Sequence, residues 1–293
     1  MRQFIIGSEW LYMKIYTGVK TSDLILEEVI MPLVVYLHEA KYISKWFFIR
    51  YNDPKPHLRI RFNLYNTEEY NKVLERINIV LQEFVASGEI SSIQTDIYKR
   101  EIERYGRNTI EDAETLFYRN SEFSIQCLDY ADEEKIIISL FYIDTLLDKL
   151  NLSVYEKTEW LHSYNIAFKK EFNADKRLNS QLDKKYRAFK PQFIDFIKSE
   201  EFAEEREAVI SNIDEMVLIL QNIIYHSKNQ TLEVAVEAFF KSFFHMNINR
   251  LFVSNQRIFE MIIYDYLYRY YKSLHYLAIN NTVDIFLEKS TVS

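Results

Sequence analysis

The sequence predicts an α+β fold: an antiparallel sheet with helices on one side in the N-terminal third, followed by a mostly helical region packed on it. Three observations support this prediction. Apolar residues alternate over short segments before residue 107, they recur at helical spacing through most of the rest, and the chain has only 4 Gly and 4 Pro in 293 residues. We therefore expect a sheet region, 1–107, and a helical region, 108–293, which together form one domain.

The first elements of the chain alternate between strand and helix. Residues Trp10–Tyr16 alternate as a strand does. From Ser22 to about His38 the apolar spacing is helical, and Ser22 is the expected N-cap. Pro32 lies inside this stretch, so we expect a kink or a break there.

Two further strands and a second helix complete the sheet region. The strands are predicted at Trp46–Tyr51 and His57–Phe62, and the Asn- and Pro-containing link between them favours a hairpin. A helix should run from an N-cap at Thr67 to about Ala86, and the segment Ile90–Arg100 is typical of another strand. From Ile110 to about Leu277 the chain is helical almost throughout.

Composition and charge exclude several classes of function. Hydrophobic residues make up 48% of the chain and charged residues 27%, which is typical of a globular protein. The formal net charge is −7, and residues 1–107 hold 15 Lys and Arg against 14 Asp and Glu, whereas the rest holds 21 against 29. An acidic chain is poorly suited to bind nucleic-acid phosphates, so we expect no direct nucleic-acid contact. A functional basic site would have to be local, in the first third.

Cysteine usage and hydropathy indicate the compartment. The single Cys127 excludes an internal disulfide framework. The apolar stretch near residue 1 is too short and too interrupted for a signal peptide, and no run of about 20 apolar residues exists. We therefore expect a cytoplasmic protein without a membrane span. Nucleotide-binding glycine patterns and metal-binding spacings of His and carboxylates are also missing, so neither a cofactor nor a metal is expected.

One predicted strand carries a row of cationic side chains. Since alternate residues of a strand share a face, His57, Arg59 and Arg61 point one way, and the apolar residues between them point the other way. Arginine is the side chain best shaped for bidentate binding of a carboxylate. A solvated sheet face with surface ion pairs is the alternative interpretation of this row.

Two other segments combine polar residues in a way that could form a site. In the segment from Tyr98 to Gly106, Glu101 and Arg104 are three residues apart and can pair if the segment turns helical. An ordinary surface ion pair would have the same spacing. In the third segment His245 follows an apolar helical run, and Asn249 and Arg250 follow it at helical spacing. A lone histidine in such a place is more often a hydrogen-bonded structural residue, which is the alternative interpretation.

The segments 47–62 (FFIRYNDPKPHLRIRF), 98–106 (YKREIERYG) and 244–252 (FHMNINRLF) together resemble the thiopeptide-type bacteriocin biosynthesis proteins. The same unit forms the C-terminal glutamate-elimination domain of lantibiotic dehydratases. The resemblance extends to the segments 10–16 and 111–122, so it covers nearly the whole chain, and it implies one elimination-type domain in a free-standing form.

The resemblance implies both a reaction and the residues that carry it. A separate domain esterifies Ser or Thr of a precursor peptide with glutamate, and the elimination unit then removes glutamate to leave dehydroalanine or dehydrobutyrine. By motif, the catalytic residues are Arg61, Arg104 and His245. The implied substrate contacts are Arg50, His57, Arg59, Tyr98, Glu101, Asn249 and Arg250. Arginines suit a leaving carboxylate, and a neutral imidazole is a base near pH 7.

The chain departs from the family pattern at two places. The usual RYGG is Tyr105-Gly106-Arg107 here, and the usual Asp-Ser is Asn120-Ser121. The first difference affects the loop after Arg104, and the second removes a carboxylate.

Two other functions remain open, together with the identity of the partners. Pyridine synthases of thiopeptide pathways resemble the same family, and a non-catalytic peptide-binding subunit of a split dehydratase would fit the same composition. The implied partners are a precursor peptide bearing glutamyl esters and a separate glutamylating dehydratase protein. Homodimerisation is left open.

Overall fold

A computed structural model describes the backbone of residues 1–290 and the side chains of residues 1–277. The fold is α+β and 66% helical, with antiparallel sheets near the N-terminus, as predicted. The chain divides into two compact units. The first contains Met1–Lys135 and Asp214–Gln256, and the second contains Ile136–Ile213 and the chain from Arg257 onward. The sheet region 1–107 thus forms one unit with helices that come from two later parts of the sequence. That regions 1–107 and 108–293 act as one elimination-type domain stays a prediction.

The elements of the first unit are as follows. The strands are β1 (Gln3–Phe4), β2 (Trp10–Thr17), β3 (Ile43–Asn52), β4 (Pro56–Leu64), β5 (Ile90–Thr95) and β6 (Tyr98–Lys99). The helices are α1 (Thr21–Leu24), α2 (Met31–Glu39), α3 (Tyr70–Ala86), α4 (Ile102–Tyr105), α5 (Ile110–Gln126), α10 (Val217–Lys228) and α11 (Val236–Leu251). The second unit contains most of α6 (Asp132–Lys149), then α7 (Val154–Glu171), α8 (Lys176–Lys198), α9 (Ala203–Asp214) and α12 (Gln256–Ser290).

The main sheet has four antiparallel strands in the order β3-β4-β2-β5. Strands β3 and β4 form the predicted hairpin, in which Asn52 lies opposite Pro56. In β4, Leu58, Ile60 and Phe62 are buried in an apolar core with residues of α2 and α3. The other face carries Arg59 and Arg61. The prediction that this strand has an apolar face against helices and a cationic face is confirmed.

The helix after β2 differs from the prediction at both marked residues. Ser22 is not the N-cap, because the helix begins at Thr21 with Lys20 as its N-cap residue. The Ser22 hydroxyl instead donates to the carbonyl of Val19 at 2.6 Å and accepts from Arg50 at 2.7 Å. The helix is irregular before Pro32, as expected, since a π-helical segment, Ile25–Ile30, joins α1 to α2. Pro32 lies in the first turn of α2, directly after this segment.

Two other boundaries were predicted wrongly. Asn66, not Thr67, caps the helical turn before α3, because its side-chain oxygen accepts from the amide of Glu68 at 3.0 Å. The predicted strand Ile90–Arg100 is two strands, β5 and β6. The chain leaves the main sheet after Thr95, and β6 pairs with the unpredicted β1 in a separate two-stranded sheet.

Side chains of α5 and α11 cover the outer edge of β3. The Asn249 amide group accepts from the Arg50 amide and donates to the Arg50 carbonyl, both at 2.9 Å. The Phe48 carbonyl accepts from Arg250 Nε at 2.8 Å, and the Phe48 amide donates to Ser121 Oγ at 3.3 Å. An open strand edge is satisfied in this way without another strand, and α11 is held beside the sheet.

The second unit is held together by buried aromatic residues and paired buried charges. Asp265 is fully buried and accepts from Lys169 Nζ at 2.8 Å and from Arg269 Nε at 2.6 Å. Lys157 donates to Asp144 at 2.9 Å and to Asp148 at 2.6 Å. Each buried charge therefore has an opposite charge beside it, as buried ionic groups require.

Over the residues that the structure describes, no single helix is long and apolar enough to cross a membrane. The broken pair Glu200–Asp214 and Val217–Lys228 meets the length and composition requirements only when both parts are taken together.

Candidate active site

A cavity of about 280 Å³ opens on the cationic face of the sheet. Its walls come from β3, β4, β6, α4, α5 and α11, all within the first unit. Every predicted site residue except His57 lines this cavity, and His57 lines a neighbouring cavity of about 210 Å³. Three segments that are far apart in the sequence therefore meet at one place.

Arg61 lies in an aromatic wall of the cavity. Its guanidinium carbon is 4.4 Å from the ring centre of Tyr12, 5.0 Å from that of Tyr98 and 5.2 Å from that of Phe47. Both Tyr12 and Phe47 are paired with Arg61 across the sheet, which places the three side chains on one face. Cation–π contacts of this kind stabilise a guanidinium without neutralising it.

The charge of Arg61 has no carboxylate partner among the side chains that the structure describes, and its Nε is buried without a hydrogen-bond partner. Burial lowers the pKa of Arg61, but an arginine keeps its proton at neutral pH. A cation in an apolar wall with an unsatisfied N–H is suited to bind an anion. The anion supplies the hydrogen-bond acceptor and the negative charge that the surrounding side chains lack.

Tyr98 belongs to this aromatic wall and is fixed through its hydroxyl group. It is buried, and its hydroxyl donates to Glu114 Oε1 at 2.8 Å. Glu114 in turn accepts two hydrogen bonds from Arg100, each of 2.7 Å. Burial raises the pKa of Tyr98 well above its usual value, so its phenol stays neutral. The ring faces the cavity and the hydroxyl faces away from it. A contact of the hydroxyl with substrate stays a prediction, and this geometry does not support it.

Arg59 lies beside Arg61 and is held by two neighbours. Its guanidinium carbon is 3.4 Å from the ring centre of Tyr51, and its Nε donates to His57 Nε2 at 3.1 Å. Within the described part of the chain, Arg59 forms no ion pair. Two guanidiniums without carboxylate partners therefore line one strand.

Arg104 and Glu101 face the cavity from α4. The Arg104 Nε is 3.6 Å from Glu101 Oε2, which confirms the predicted pairing three residues apart. The side chains are 51% and 56% exposed, so Arg104 is free to move towards a ligand. Helix α4 ends at Gly106, whose φ of +74° and ψ of 152° suit only glycine.

Arg107, which replaces the second glycine expected from the resemblance, is held by contacts with Glu233. The backbone amide of Arg107 donates to Glu233 Oε2 at 3.0 Å, and its side chain lies 3.6 Å from Glu233 Oε1. These contacts hold the loop after Arg104 although the second glycine of the family pattern is missing.

His245 enters the cavity from α11. It is half-buried, and Asn249 follows one turn later on the same helix face. Asn249 uses both groups of its amide on the backbone of Arg50, so it fixes α11, and with it His245, against the sheet. Direct contact of Asn249 with substrate stays a prediction.

Arg50 and Arg250 have structural contacts through the Nε and Nη1 atoms of their guanidiniums. Arg50 is buried, donates to Ser22 and to the Arg250 carbonyl, and lies 2.6 Å from Asp23. Arg250 is fully buried and donates to Phe48 and to Asn120 Oδ1. Asn120, at the position where the resemblance predicts an aspartate, thus accepts from Arg250. For both arginines a contact with substrate stays a prediction without support from these contacts.

Several cavity residues were not identified from the sequence. They are Phe47, Ile49, Tyr51, Lys99, Tyr105, Ile110, Phe117 and Met246. The strand alternation places Tyr51 on the same face as Phe47 and Ile49, but their position opposite Arg61 depends on the hairpin register, which the sequence does not specify. Over residues 1–277, no group of three or more His, Cys, Asp or Glu is arranged to hold a metal ion.

The fold and this cavity define a class of protein: an α+β protein in which an arginine-faced sheet and a helix-borne histidine form one cationic cavity. The chain belongs to the family described as lantibiotic biosynthesis dehydratase C-term, which matches residues 10–271. The resemblance predicted from the three segments is thus confirmed.

Individual proteins show the same relationship. The nisin biosynthesis protein NisB of Lactococcus lactis subsp. lactis is 24% identical over 293 residues, which cover 94% of this chain and 27% of NisB. The tRNA dependent lantibiotic dehydratase MibB from Microbispora sp. 107891 has a similar structure, with a TM-score of 0.67 and 19% identity over 90% of this chain and 28% of MibB. This chain thus spans about a quarter of the length of either protein.

A third protein is similar over its whole length. The pyridine synthase TbtD from thiomuracin biosynthesis has a TM-score of 0.60 and 14% identity, over 90% of this chain and 99% of TbtD. At such identities the likeness to MibB and TbtD shows the fold alone.

Proposed function

We propose that this chain is a lyase that removes glutamate from glutamylated Ser or Thr residues of a ribosomally made precursor peptide, leaving dehydroalanine or dehydrobutyrine. The observation that carries the proposal is the guanidinium of Arg61, which has no carboxylate partner within the described residues and lines one cavity with Arg59, Arg104 and His245. The family membership supports the reaction class.

The reaction needs a base and a site for a leaving carboxylate. The base takes the α-proton of the esterified residue, the electron pair of that C–H bond forms the Cα=Cβ double bond, and the Cβ–O bond breaks. Glutamate then leaves as a carboxylate, so the transition state develops negative charge on oxygen. Guanidinium groups that are already in place stabilise this charge without reorganisation.

Each catalytic residue has a role that fits its position. Arg61, in the rigid aromatic wall, binds the leaving carboxylate. Arg104, half-exposed on α4, closes on the glutamyl group, which carries a second carboxylate. His245, on the opposite wall, acts as the general base or acid. The partners that this scheme requires are the precursor peptide and a separate protein that supplies the glutamyl ester.

The test uses a peptide that carries one glutamyl ester and follows its intact mass. The wild-type chain should convert the ester to the dehydro residue with loss of one glutamic acid, and Arg61→Ala should lower the rate by about 10²- to 10³-fold. Arg76→Ala is the matched control, because Arg76 stacks on Tyr36 at 4.5 Å outside the cavity. Normal conversion by Arg61→Ala would contradict the role of Arg61.

A second candidate function is that of a pyridine synthase, because the chain shares its fold with TbtD. A pyridine synthase would act on a peptide that already contains dehydroalanines and would form a new ring with release of the leader. The same mass measurement with a dehydrated peptide separates the candidates. A new pyridine would favour the synthase, and no change with either peptide would favour a non-catalytic peptide-binding subunit.

A further inference from the structure

His57 and Arg59 form a two-residue assembly at the rim of the cavity. The His57 ring is only 3% exposed and lies between Tyr16 and Tyr51, with ring centres at 4.6 Å and 5.4 Å. The Arg59 guanidinium lies flat on the outer ring, that of Tyr51, and its Nε reaches the imidazole at 3.1 Å. The imidazole, the phenol ring and the guanidinium are thus in mutual contact.

The hydrogen bonds define the form of the imidazole. His57 Nδ1 lies 2.8 Å from the carbonyl oxygen of Lys55, which can only accept, so Nδ1 carries the proton. Arg59 Nε can only donate, so His57 Nε2 must present its lone pair. Only the neutral imidazole satisfies both contacts, since a protonated ring would direct a second N–H at the guanidinium.

The surroundings of His57 also favour the neutral form. Burial lowers the pKa of His57, and the positive charges of Arg59 and of Lys14, on the neighbouring strand β2, lower it further. The Lys55 carbonyl and Asp53, both in the hairpin turn, act in the opposite direction. The groups packed on its two sides, Tyr16 of β2 and Tyr51 of β3, are phenols.

We infer that neutral His57 is a positioning residue that holds Arg59 on Tyr51 at the cavity rim, and that protonation of His57 releases Arg59. This inference rests on the proposed function for its effect on catalysis, since Arg59 is the second guanidinium that an anionic peptide ester would meet. Affinity for such a substrate should therefore fall in acid, below the pH at which free histidine titrates, about 6.5.

The inference has a test that does not depend on activity. Nitrogen-15 NMR of the imidazoles should show a His57 that carries its proton on Nδ1 and titrates below the usual histidine pKa of about 6.5. In Arg59→Gln the pKa of His57 should rise, because a neighbouring positive charge is removed. The inference is overturned if His57 carries its proton on Nε2, or if its pKa does not change in that variant.

Kinetics with a glutamylated peptide provide the second test. His57→Phe keeps the ring between the two tyrosines and loses the acceptor, so KM should rise about threefold to tenfold while kcat stays near the wild-type value. His57→Gln places an amide oxygen near the Nε2 position and should restore KM. In this variant KM should also become independent of pH between about 5 and 8, whereas the wild-type KM rises in acid.

Controls separate this role from a structural one. His162 also stacks on a tyrosine, Tyr268, at 4.7 Å, but in the second unit, so His162→Phe should leave KM and its pH profile unchanged. A wild-type KM in His57→Phe overturns the inference. If the wild-type chain converts no glutamylated peptide, the proposed function fails, while the NMR measurement still decides the form of His57.

Discussion

At the scale of single residues, two arginines of the first unit differ in whether a carboxylate lies beside them. Arg100 is buried and forms two hydrogen bonds of 2.7 Å with the buried carboxylate of Glu114. Arg61 is surrounded by aromatic rings and, over the described side chains, has no carboxylate beside it. The desolvation of Arg61 is therefore compensated only by cation–π contacts, which leaves its N–H groups available to a ligand.

This contrast predicts different effects on stability. Arg61→Met should change the free energy of unfolding by no more than about 1 kcal/mol, because relief of desolvation offsets the lost cation–π contacts. Arg100→Met should cost about 3–5 kcal/mol, because it leaves Glu114 buried and unpaired. Urea denaturation of both variants measures the difference. Equal destabilisation by the two substitutions would contradict the interpretation of Arg61 as a cation kept for a ligand.

At the scale of elements, the short helix α4 carries Arg104 and depends on the glycine that ends it. Gly106 has φ +74° and ψ 152°, and a Cβ there would lie 3.0 Å from Thr109 Oγ1. A side chain at this position would thus be strained and would push against the start of α5. The position of Arg104 in the cavity follows from this turn.

We expect Gly106→Ala to lower stability by about 1–3 kcal/mol and to reduce elimination by moving Arg104. Gly88→Ala is the matched control, because Gly88 has φ +86° but an added Cβ would meet nothing within 4 Å. It should lose about 1 kcal/mol of stability and keep its activity. Thermal melting and the mass-based elimination assay measure the two effects. Equal activity losses in both variants would argue against a specific role of the turn.

At the scale of the whole molecule, the cationic cavity is a local exception in an acidic chain. The net charge is −7, and the cavity nevertheless gathers Arg59, Arg61, Lys99 and Arg104. The local field favours an anionic ligand, while the overall charge disfavours nucleic acid.

Salt should therefore weaken substrate capture more than chemistry. Raising the ionic strength from about 0.1 M to about 1 M shortens the Debye length from about 10 Å to about 3 Å. KM for the glutamylated peptide should then rise roughly threefold to tenfold, and kcat should change little, because a substrate bound against the aromatic wall excludes salt from Arg61. Initial rates at several peptide concentrations measure both constants. A KM that does not depend on salt would contradict electrostatic capture.

Much of the fold could be predicted because it follows from local patterns. The alternation in Leu58, Ile60 and Phe62 specified an apolar strand face, and the proline-containing link specified the hairpin. Helix boundaries were less predictable where two adjacent residues are both of a type that caps helices, as Asn66 and Thr67 are. The end of β5 at Thr95 was missed because nothing local marks the place where a strand leaves one sheet for another.

The sequence by itself determined the fold class, the two faces of β4, the pairing of Glu101 with Arg104 and the family, since these depend on spacing and motif. Only the tertiary structure decided which arginines are available. All four arginines line the cavity, but Arg50 and Arg250 donate to backbone carbonyls of α11 and β3, whereas Arg59 and Arg61 form no ion pair within the described residues. The physical reason is that availability depends on strand register and on contacts between residues about 200 positions apart, such as Asn249 with Arg50. Such contacts leave no periodicity in the chain.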